Sequence, residues 1–477
     1  MKKVISALSL IFLMAAPYAS AGDGAVRGRV KVITTTDARS KDLAVTDIRL
    51  QKGRPSGENV VTLLPKQTFQ TMDGFGVAIT GSTCYNLMRM TEANRETFLR
   101  ETFSDGGDGF GFSYVRVAIG CSDFSLSEYT CCDTKGIENF SLTEEENRFV
   151  IPILKKILEI NPDLKIMGTP WTPPRWMKTN GDWTSGELKP ECYADYAEYF
   201  VRWIKAFAEE GINIYSVTPQ NEPLNRGNSA SCYMPWDQER DFVKVLGPAL
   251  RRAGLKTKIF AFDHNYNYDN MESQRGYPTK IYEDPEAAGH LAGAAYHNYG
   301  GNKEELTLVH NAAPGKDLVF TETSIGTWNN GRSLEARLVK DMEDVALGTV
   351  NRWCTGVIVW NLMLDHERGP HRGPGACATC YGAVDLNTDY TIMQRNSHYY
   401  IIAHMSSVVD PGAVRIATAG YTAEGLTYSA FRNPDGSYAF VLSNGNGNAV
   451  SFDVADGKRH FRAEVPPRSA VSYRWKK

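Results

Sequence analysis

The sequence has 477 residues, 42% hydrophobic and 22% charged, with a formal net charge of −3. This composition is typical of a globular protein with one large domain and a smaller companion. The near-neutral charge gives no electrostatic footprint for nucleic acid or an anionic membrane, so we expect neither as a partner.

The first residues have the pattern of a cleavable signal peptide. Two lysines at positions 2–3 precede the largely apolar residues 4–17 and the small-residue sequence Ala19-Ser20-Ala21. We therefore expect residues 1–21 to be removed near Ala21–Gly22, giving a secreted or periplasmic protein. The apolar run is too short to span a membrane, and no later segment reaches that length.

Both ends of the mature chain favour strands. Residues 22–70 and 406–477 lack a helical period, and they alternate, as in "SYAFVL" and "AVSFDV", between turn signals such as "NPDG". The simplest arrangement is a small β-sandwich that residues 22–70 and 406–477 build together.

Between these ends, residues 71–405 repeat one unit: a short apolar run, a polar loop and an amphipathic segment. The runs are continuous rather than alternating, which is typical of parallel strands buried on both faces. They are "TMDGFGVAI", "FSYVRVAIG", "LKIMGTPW", "IYSVTPQNE", "TKIFAFDHN", "LAGAAYHNY", "DLVFTETS" and "TGVIVWNLML". Eight β-then-α units predict an α/β fold, the (β/α)8 TIM barrel.

Polar and aromatic residues stand at the predicted carboxyl ends of these strands, where barrels of this kind carry their active sites. Glu222 ends strand four in "TPQNEP", and Glu322 ends strand seven in "VFTETS". The other strand-end residues that we expect around them are Arg116, Trp171, Asp263, His264, His297, Tyr299, Trp360 and Asn361.

Two carboxylates that face one pocket suit the cleavage of a glycosidic bond. One is kept protonated to assist the leaving oxygen, while the other stays ionised to attack the anomeric carbon. Asn221 beside Glu222 can hold the sugar 2-hydroxyl. A lone strand-end glutamate is more often a structural ion pair, but two of them among aromatic strand ends are hard to explain as packing.

The chain resembles glycoside hydrolase family 30, the glucosylceramidase-like family. The resemblance covers nearly the whole mature chain and includes "DGFGVAIT", "VRVAIGCSDFS", "GTPWTPPRWMKTNG", "VTPQNEP", "VFTETSIG" and "VIVWNLML" in family order. It implies a retaining mechanism with Glu222 as acid/base and Glu322 as nucleophile. It also implies that Trp171, Asn221, Tyr299 and Trp360 line the −1 subsite, supported by Arg116 and His297.

One position departs from the family pattern. Glucosylceramidases carry an Asp after "GAMT" that binds outer hydroxyls of a terminal glucose, whereas this sequence has Gly81 after "VAIT". If small residues open room there, a glucan chain can continue through C6, which predicts endo-cleavage of linear β-1,6-glucan. One alternative is that another residue binds those outer hydroxyls in place of the Asp. The other is that the chain is a glucosylceramidase, an exo-acting β-glucosidase or a β-xylosidase.

Three other function classes compete with this hypothesis. A metal-dependent hydrolase would need clustered strand-end histidines, including a pair on strand one, and a Schiff-base aldolase would need a strand-end lysine; the sequence has neither. A non-catalytic carbohydrate-binding protein would have lost a carboxylate. We therefore expect no cofactor and no metal, a β-glucan poly- or oligosaccharide as partner, and a monomer.

The nine cysteines are an odd number in a disulfide-permissive compartment. Cys377 and Cys380 form a lone CxxC in the unusual loop "DHERGPHRGPGACATC" at 365–380. A zinc site would need a second ligand pair, and a redox motif would need to open a helix. A loop-closing disulfide or buried thiols are the simpler interpretations.

Overall fold

The computed structural model describes residues 28–107, 109–266, 271–373 and 375–476, so the expected signal peptide lies outside the described residues. The strands, in chain order, are β1 (Arg29–Thr36), β2 (Ala44–Arg49), β3 (Gln51–Lys52), β4 (Val60–Thr71), β5 (Gly74–Val77), β6 (Tyr114–Ala118), β7 (Lys165–Thr169), β8 (Ser216–Val217), β9 (Lys258–Asn265), β10 (Gly293–His297), β11 (Asp317–Glu322), β12 (Ile325–Gly326), β13 (Cys354–Val359), β14 (Met363–Leu364), β15 (Cys380–Tyr381), β16 (Val384–Leu386), β17 (Ile392–Arg395), β18 (Val414–Gly420), β19 (Leu426–Arg432), β20 (Tyr438–Asn444), β21 (Val450–Ala455), β22 (Arg459–Val465) and β23 (Ser469–Trp475).

The α-helices are α1 (Gly81–Arg89), α2 (Glu92–Phe103), α3 (Ile151–Ile160), α4 (Tyr193–Glu209), α5 (Trp236–Arg252), α6 (Tyr277–Tyr282), α7 (Pro285–His290), α8 (Glu304–Ala312), α9 (Leu334–Asp341), α10 (Leu347–Val350) and α11 (Ser397–Ser406). Short π-helical segments precede α3 (Glu146–Val150) and join α9 to α10 (Met342–Ala346). Single 3₁₀ turns lie at Ile137–Asn139, Arg175–Met177, Pro190–Cys192, Glu272–Gln274 and Thr327–Asn329.

Eight strands form the predicted barrel. Their order is β5-β13-β11-β10-β9-β8-β7-β6, with parallel pairing throughout, and a bridge between Ala78 and Arg116 closes the ring. Side chains from six strands fill the interior, namely Tyr114, Met167, Phe260, Ala295, Val319 and Ile358. The barrel is therefore a packed core whose open space lies at its ends.

The fourth barrel strand, β8, is shorter than the sequence predicts. Strand β8 ends at Val217, so Glu222 lies in the loop beyond it rather than at the end of a strand. Pro219 and Pro223 flank this loop, and neither can donate a backbone hydrogen bond to continue the ladder. The carboxylate nevertheless remains at the carboxyl end of the barrel.

Helices surround the barrel because each has one apolar face. Helix α4 buries Tyr196, Phe200, Trp203 and Phe207, which recur at three- and four-residue spacing along one side. Within the described ranges, no helix has both the length and the apolar composition needed to cross a membrane.

The two chain ends form one further sheet, in the order β2-β1-β23-β20-β19-β18-β4-β21-β22-β3. Strand β1 pairs with both β2 and β23, so the N-terminal strands join the C-terminal ones directly. The sheet encloses its own apolar cluster, which includes Val61, Phe440 and Phe461. The (β/α)8 barrel with a β-sandwich from both termini is the fold that the sequence predicts.

The cysteines resolve into two groups. Cys377 and Cys380 form a disulfide that closes a short loop. The other seven, Cys84, Cys121, Cys131, Cys132, Cys192, Cys232 and Cys354, are buried free thiols. Both of the simpler interpretations of the cysteines therefore apply, each to a different subset.

Candidate active site

Several residues at the carboxyl ends of the strands adopt backbone conformations that side chains rarely occupy. The φ angles are +45° at Glu222, +59° at Asp263 and +59° at Asn361. The Glu222 N–H donates to the Asp263 carbonyl at 3.0 Å, and the Asn225 N–H donates to the Glu222 carbonyl at 2.9 Å. Such strain persists only where the surroundings enforce it, and it is concentrated at functional sites.

Glu322 is held by a cation and a phenol. Its Oε2 accepts from Arg116 Nη1 at 2.6 Å, and its Oε1 accepts from the Tyr299 hydroxyl at 2.9 Å. Burial raises the pKa of Glu322, while His297 and Arg116 oppose that rise. The ion pair with Arg116 is direct and buried, so it favours the charged form of Glu322 against the effect of burial.

Glu222 has a different set of partners. Asn225 Nδ2 donates to its Oε2 at 2.8 Å, and His297 Nδ1 lies 3.4 Å from its Oε1. Although burial opposes the shift, the histidines at 264 and 297 and the Asn225 amide lower the pKa of Glu222 to about 2. Glu222 and Glu322 therefore stand in different electrostatic environments.

Asp263 contacts both Arg116 and His297, the two cationic residues beside the glutamates. It accepts from Arg116 Nη2 at 2.8 Å and from the Thr321 hydroxyl at 2.6 Å, and it lies 3.0 Å from His297 Nε2. Despite complete burial, Arg116 and His297 hold its pKa far below the usual range. Asp263 therefore fixes the orientation of both cations.

The two glutamates lie close together. One oxygen of each and a ring nitrogen of His297 are all within 4.8 Å of one another. Such a trio can also be a metal ligand set, but burial is outweighed at His297 by Glu322, Asp263 and Glu222, which raise its pKa to about 9. We therefore interpret His297 as the holder of the site's proton.

Aromatic rings form the adjacent wall. The Trp171 and Trp360 rings lie 5.1 Å apart, and the Arg116 guanidinium packs over Trp171 at 4.9 Å. Asn221 Oδ1 accepts from Arg116 Nη2 at 2.7 Å. The eight residues to which the resemblance gives a role, Arg116, Trp171, Asn221, Glu222, His297, Tyr299, Glu322 and Trp360, thus belong to one contiguous assembly.

The catalytic cavity, defined here as the space between Glu222 and Glu322, has lining residues that sequence reasoning did not select. They are Asp123, Asn225, Asn228, Asn265, Ser324, Trp328, Cys377 and Cys380. Asp123, in "GCSDFS", follows the second barrel strand, β6, so its position after a strand end was a usable signal. Asn265 ends β9, inside the predicted strand "TKIFAFDHN", so its position was a usable signal as well. The others lie beyond the barrel strands, in segments whose conformation the sequence pattern does not reveal.

The raised pKa of His297 predicts the alkaline side of the pH profile. If Glu222 is the acid that the resemblance implies, the active free enzyme must carry the proton that His297 and Glu222 share, because Glu222 would then donate it to the leaving oxygen. Since the pKa of His297 is about 9, kcat/KM should fall as the pH rises through that value. In His297→Gln the proton must reside on Glu222 itself, so the alkaline limb should move to lower pH.

The measurement is kcat/KM against pH for both proteins. An unchanged alkaline limb in His297→Gln would contradict the assignment of the proton to His297. Thermal melting across the same pH range is the control, because unfolding would lower the activity of either protein without reporting this proton.

Comparison with known proteins places the chain among carbohydrate-active enzymes. The model of the glycosyl hydrolase family 30 TIM-barrel domain matches residues 72–409, and that of the family 30 β-sandwich domain matches residues 412–473. A solved endo-β-1,6-glucanase structure is 63% identical, covers 94% of this chain and 100% of its own, and superposes with a TM-score of 0.92.

Two curated relatives carry different activities in their names. The endo-1,6-β-D-glucanase of Neurospora crassa is 32% identical over 415 residues, which is 82% of each chain. The lysosomal acid glucosylceramidase of Mus musculus is 28% identical over 475 residues, 93% of this chain and 88% of its own. The similarity to both extends through barrel and sandwich.

Proposed function

Because the chain belongs to glycosyl hydrolase family 30, we propose that it is a retaining β-glycoside hydrolase that cleaves linear β-1,6-glucan at internal bonds. The observation that carries this proposal is the 63% identity to an endo-β-1,6-glucanase across 94% of the chain. Identity at that level over both domains is much stronger support than the 28% shared with the glucosylceramidase.

We assign the two chemical roles from the surroundings of the glutamates. Glu322 is the nucleophile, because its ion pair with Arg116 favours the charged form that attacks the anomeric carbon. Glu222 is the acid/base, because His297 lies 3.4 Å away and can supply its proton. Oxygen atoms of the two carboxylates lie within 4.8 Å of one another, closer than the roughly 6.5–9.5 Å at which inverting enzymes hold their carboxyl groups, which supports retention through a covalent intermediate.

The shape of the surface favours endo-action. Tyr299, Ser324 and Trp328 line both the catalytic cavity and a second cavity of about 480 Å³ beside it. The two spaces are therefore adjacent, and Trp328, which lines both, is 53% exposed. An exposed indole is a stacking surface for a sugar ring, so the cleft can hold more than one glucose unit.

We also propose that the mature protein is exported. The signal-like pattern of residues 1–21 and the Cys377–Cys380 disulfide both support an oxidising, non-cytosolic location. Such a location fits the breakdown of an extracellular polysaccharide.

The product profile tests the substrate. The purified protein should degrade pustulan, a linear β-1,6-glucan, to short gluco-oligosaccharides, with intermediate lengths present early in the reaction. Activity on β-1,3-glucan, β-1,4-glucan and glucosylceramide should be at least roughly 100-fold lower, as expected when a site built for one set of hydroxyls meets another. Glucose as the sole early product, or faster turnover of glucosylceramide, would overturn the proposal.

A further inference from the structure

Strand β9 contains one extra residue where it reaches the active site. Its last regular pair with β10 joins Phe262 to Ala295, and the next pair joins His264 to Tyr296, so Asp263 has no partner in the register. The φ angles are +75° at Phe262 and +59° at Asp263, in the left-handed region that non-glycine residues rarely occupy. Asp263 is therefore the extra residue of a β-bulge, a distortion that changes the direction of a side chain beside an active site.

The backbone N–H of Phe262 is satisfied from outside the barrel. On the side of β9 away from β10, strand β8 pairs with Lys258 and Ile259 and ends at Val217, so it does not extend as far as Phe262. The Phe262 N–H donates instead to Glu239 Oε1 at 2.9 Å. Glu239 lies in the first turn of helix α5 and is 0% exposed. The acceptor that completes the bulge is therefore a helix side chain rather than a neighbouring strand.

Glu239 is itself held in place. The Tyr277 hydroxyl, on helix α6, lies 2.8 Å from Glu239 Oε2 and 2.6 Å from the Met234 carbonyl. Burial raises the pKa of Glu239 to about 7, against the opposing effects of the Phe262 N–H and the Tyr277 hydroxyl. The described lining of the catalytic cavity does not include Glu239. A buried acidic side chain is unfavourable unless it is hydrogen-bonded, and the partners of this one are the bulge and Tyr277.

The bulge directs the Asp263 carboxylate at His297. Asp263 Oδ1 lies 3.0 Å from His297 Nε2, while His297 Nδ1 lies 3.4 Å from Glu222 Oε1. The other titratable or charged groups around His297 and Asp263 are Glu322, His264, Tyr299 and Arg116. Although burial lowers the pKa of His297, the three carboxylates outweigh it and raise that pKa to about 9. The strength with which His297 holds its proton therefore depends on where the bulge places Asp263.

We propose that Glu239 is a positioning residue: by accepting the Phe262 N–H, it holds the bulge that directs Asp263 at His297, and it thereby keeps the site's proton on His297. A buried N–H without an acceptor is unfavourable, and a strained backbone persists only where its surroundings enforce it. Without Glu239, the bulge should relax and Asp263 should move away from His297. The inference rests on the proposed function, because the acid role of Glu222 is what makes this proton necessary.

The alkaline limb of the pH profile tests this role. Glu239→Leu removes the acceptor, so the limb of kcat/KM on 4-nitrophenyl β-gentiobioside should move to lower pH by roughly one unit, the scale expected when a neighbouring carboxylate is lost. The sign follows because His297 then has a lower pKa and loses its proton earlier. Glu239→Gln should keep the limb of the unmodified protein, because its amide oxygen can accept from Phe262 and its amide N–H can be donated to Tyr277.

A second buried residue of α5 controls for lost stability. Leu246→Ala removes a 0% exposed side chain from the same helix, so it should lower the melting temperature without moving the limb. If Glu239→Leu does not fold, the unbranched Glu239→Met, whose sulfur is only a weak acceptor, replaces it with the same expectation.

The outcomes separate this inference from the function on which it rests. An unmoved limb in the apolar Glu239 variant would overturn the inference, and so would an equal shift in Glu239→Gln or Leu246→Ala. Each of these results leaves the glucanase proposal intact. Failure of the unmodified protein to hydrolyse both pustulan and the aryl gentiobioside would overturn the proposed function itself.

Discussion

Glu322→Ala should lower kcat on β-1,6-glucan by at least roughly 10⁴-fold, the scale expected when a covalent nucleophile is removed. Azide should restore turnover of an activated aryl β-gentiobioside, because the small anion enters the space that the carboxylate leaves. It attacks the same face of the sugar as Glu322 and displaces the leaving group with inversion, so the product should be the α-glycosyl azide. NMR of the product determines the anomer.

The fold should survive this substitution because the remaining charges balance. Arg116 keeps its ion pair with Asp263 at 2.8 Å, and His297 keeps Glu222 and Asp263. The matched control is Glu322→Gln, which should be as inactive but should not respond to azide, since the amide fills the space. An Ala variant that is inactive and yields no α-azide at any concentration would contradict the nucleophile assignment.

The barrel and its two glutamates could be predicted from the sequence because the relevant signals are local. Parallel strands buried on both faces appear as unbroken apolar runs; Glu322 is the last residue of β11, and Glu222 lies in the loop that follows β8. The end of β8 could not be placed, because the predicted strand "IYSVTPQNE" continues into polar residues beyond Val217, and only the two prolines show where hydrogen bonding stops.

The rest of the site depends on contacts between distant loops. The approach of Arg372 to Asp123 requires the loop after β13 to fold over α1, and no local pattern in "DHERGPHRGPGACATC" specifies that path. The surroundings of Gly81 are likewise set by a contact with a distant segment. A Cβ atom at Gly81 would lie 1.7 Å from Glu145 Oε1, so the expectation that small residues here open room for the glucan is wrong. Its neighbour Glu145 belongs to the segment before α3, so whether the missing side chain leaves a vacancy depends on packing that sequence spacing does not contain.

Glu222→Ala should distinguish substrates by their leaving groups. Hydrolysis of β-1,6-glucan should fall by roughly 10²- to 10⁴-fold, the range expected when a general acid is removed, because the departing sugar oxygen needs a proton. A 2,4-dinitrophenyl β-gentiobioside needs none, so formation of the glycosyl–Glu322 intermediate should stay close to its normal rate. Rapid mixing should therefore give a burst of dinitrophenol followed by slow turnover, since the base for the second step is also missing.

Azide identifies the role of Glu222 through the opposite stereochemistry. In Glu222→Ala it attacks the glycosyl–enzyme intermediate from the face opposite Glu322, so the product should be the β-glycosyl azide rather than the α-anomer formed by Glu322→Ala. Asn225→Ala is the matched control, because it removes the 2.8 Å hydrogen bond to Glu222 Oε2 but leaves the carboxylate, and it should show neither the burst nor the azide product. Equal losses of activity by Glu222→Ala on activated and natural substrates would contradict the assignment of Glu222 as the acid/base. Only the loss of a proton donor makes the loss of activity depend on the leaving group.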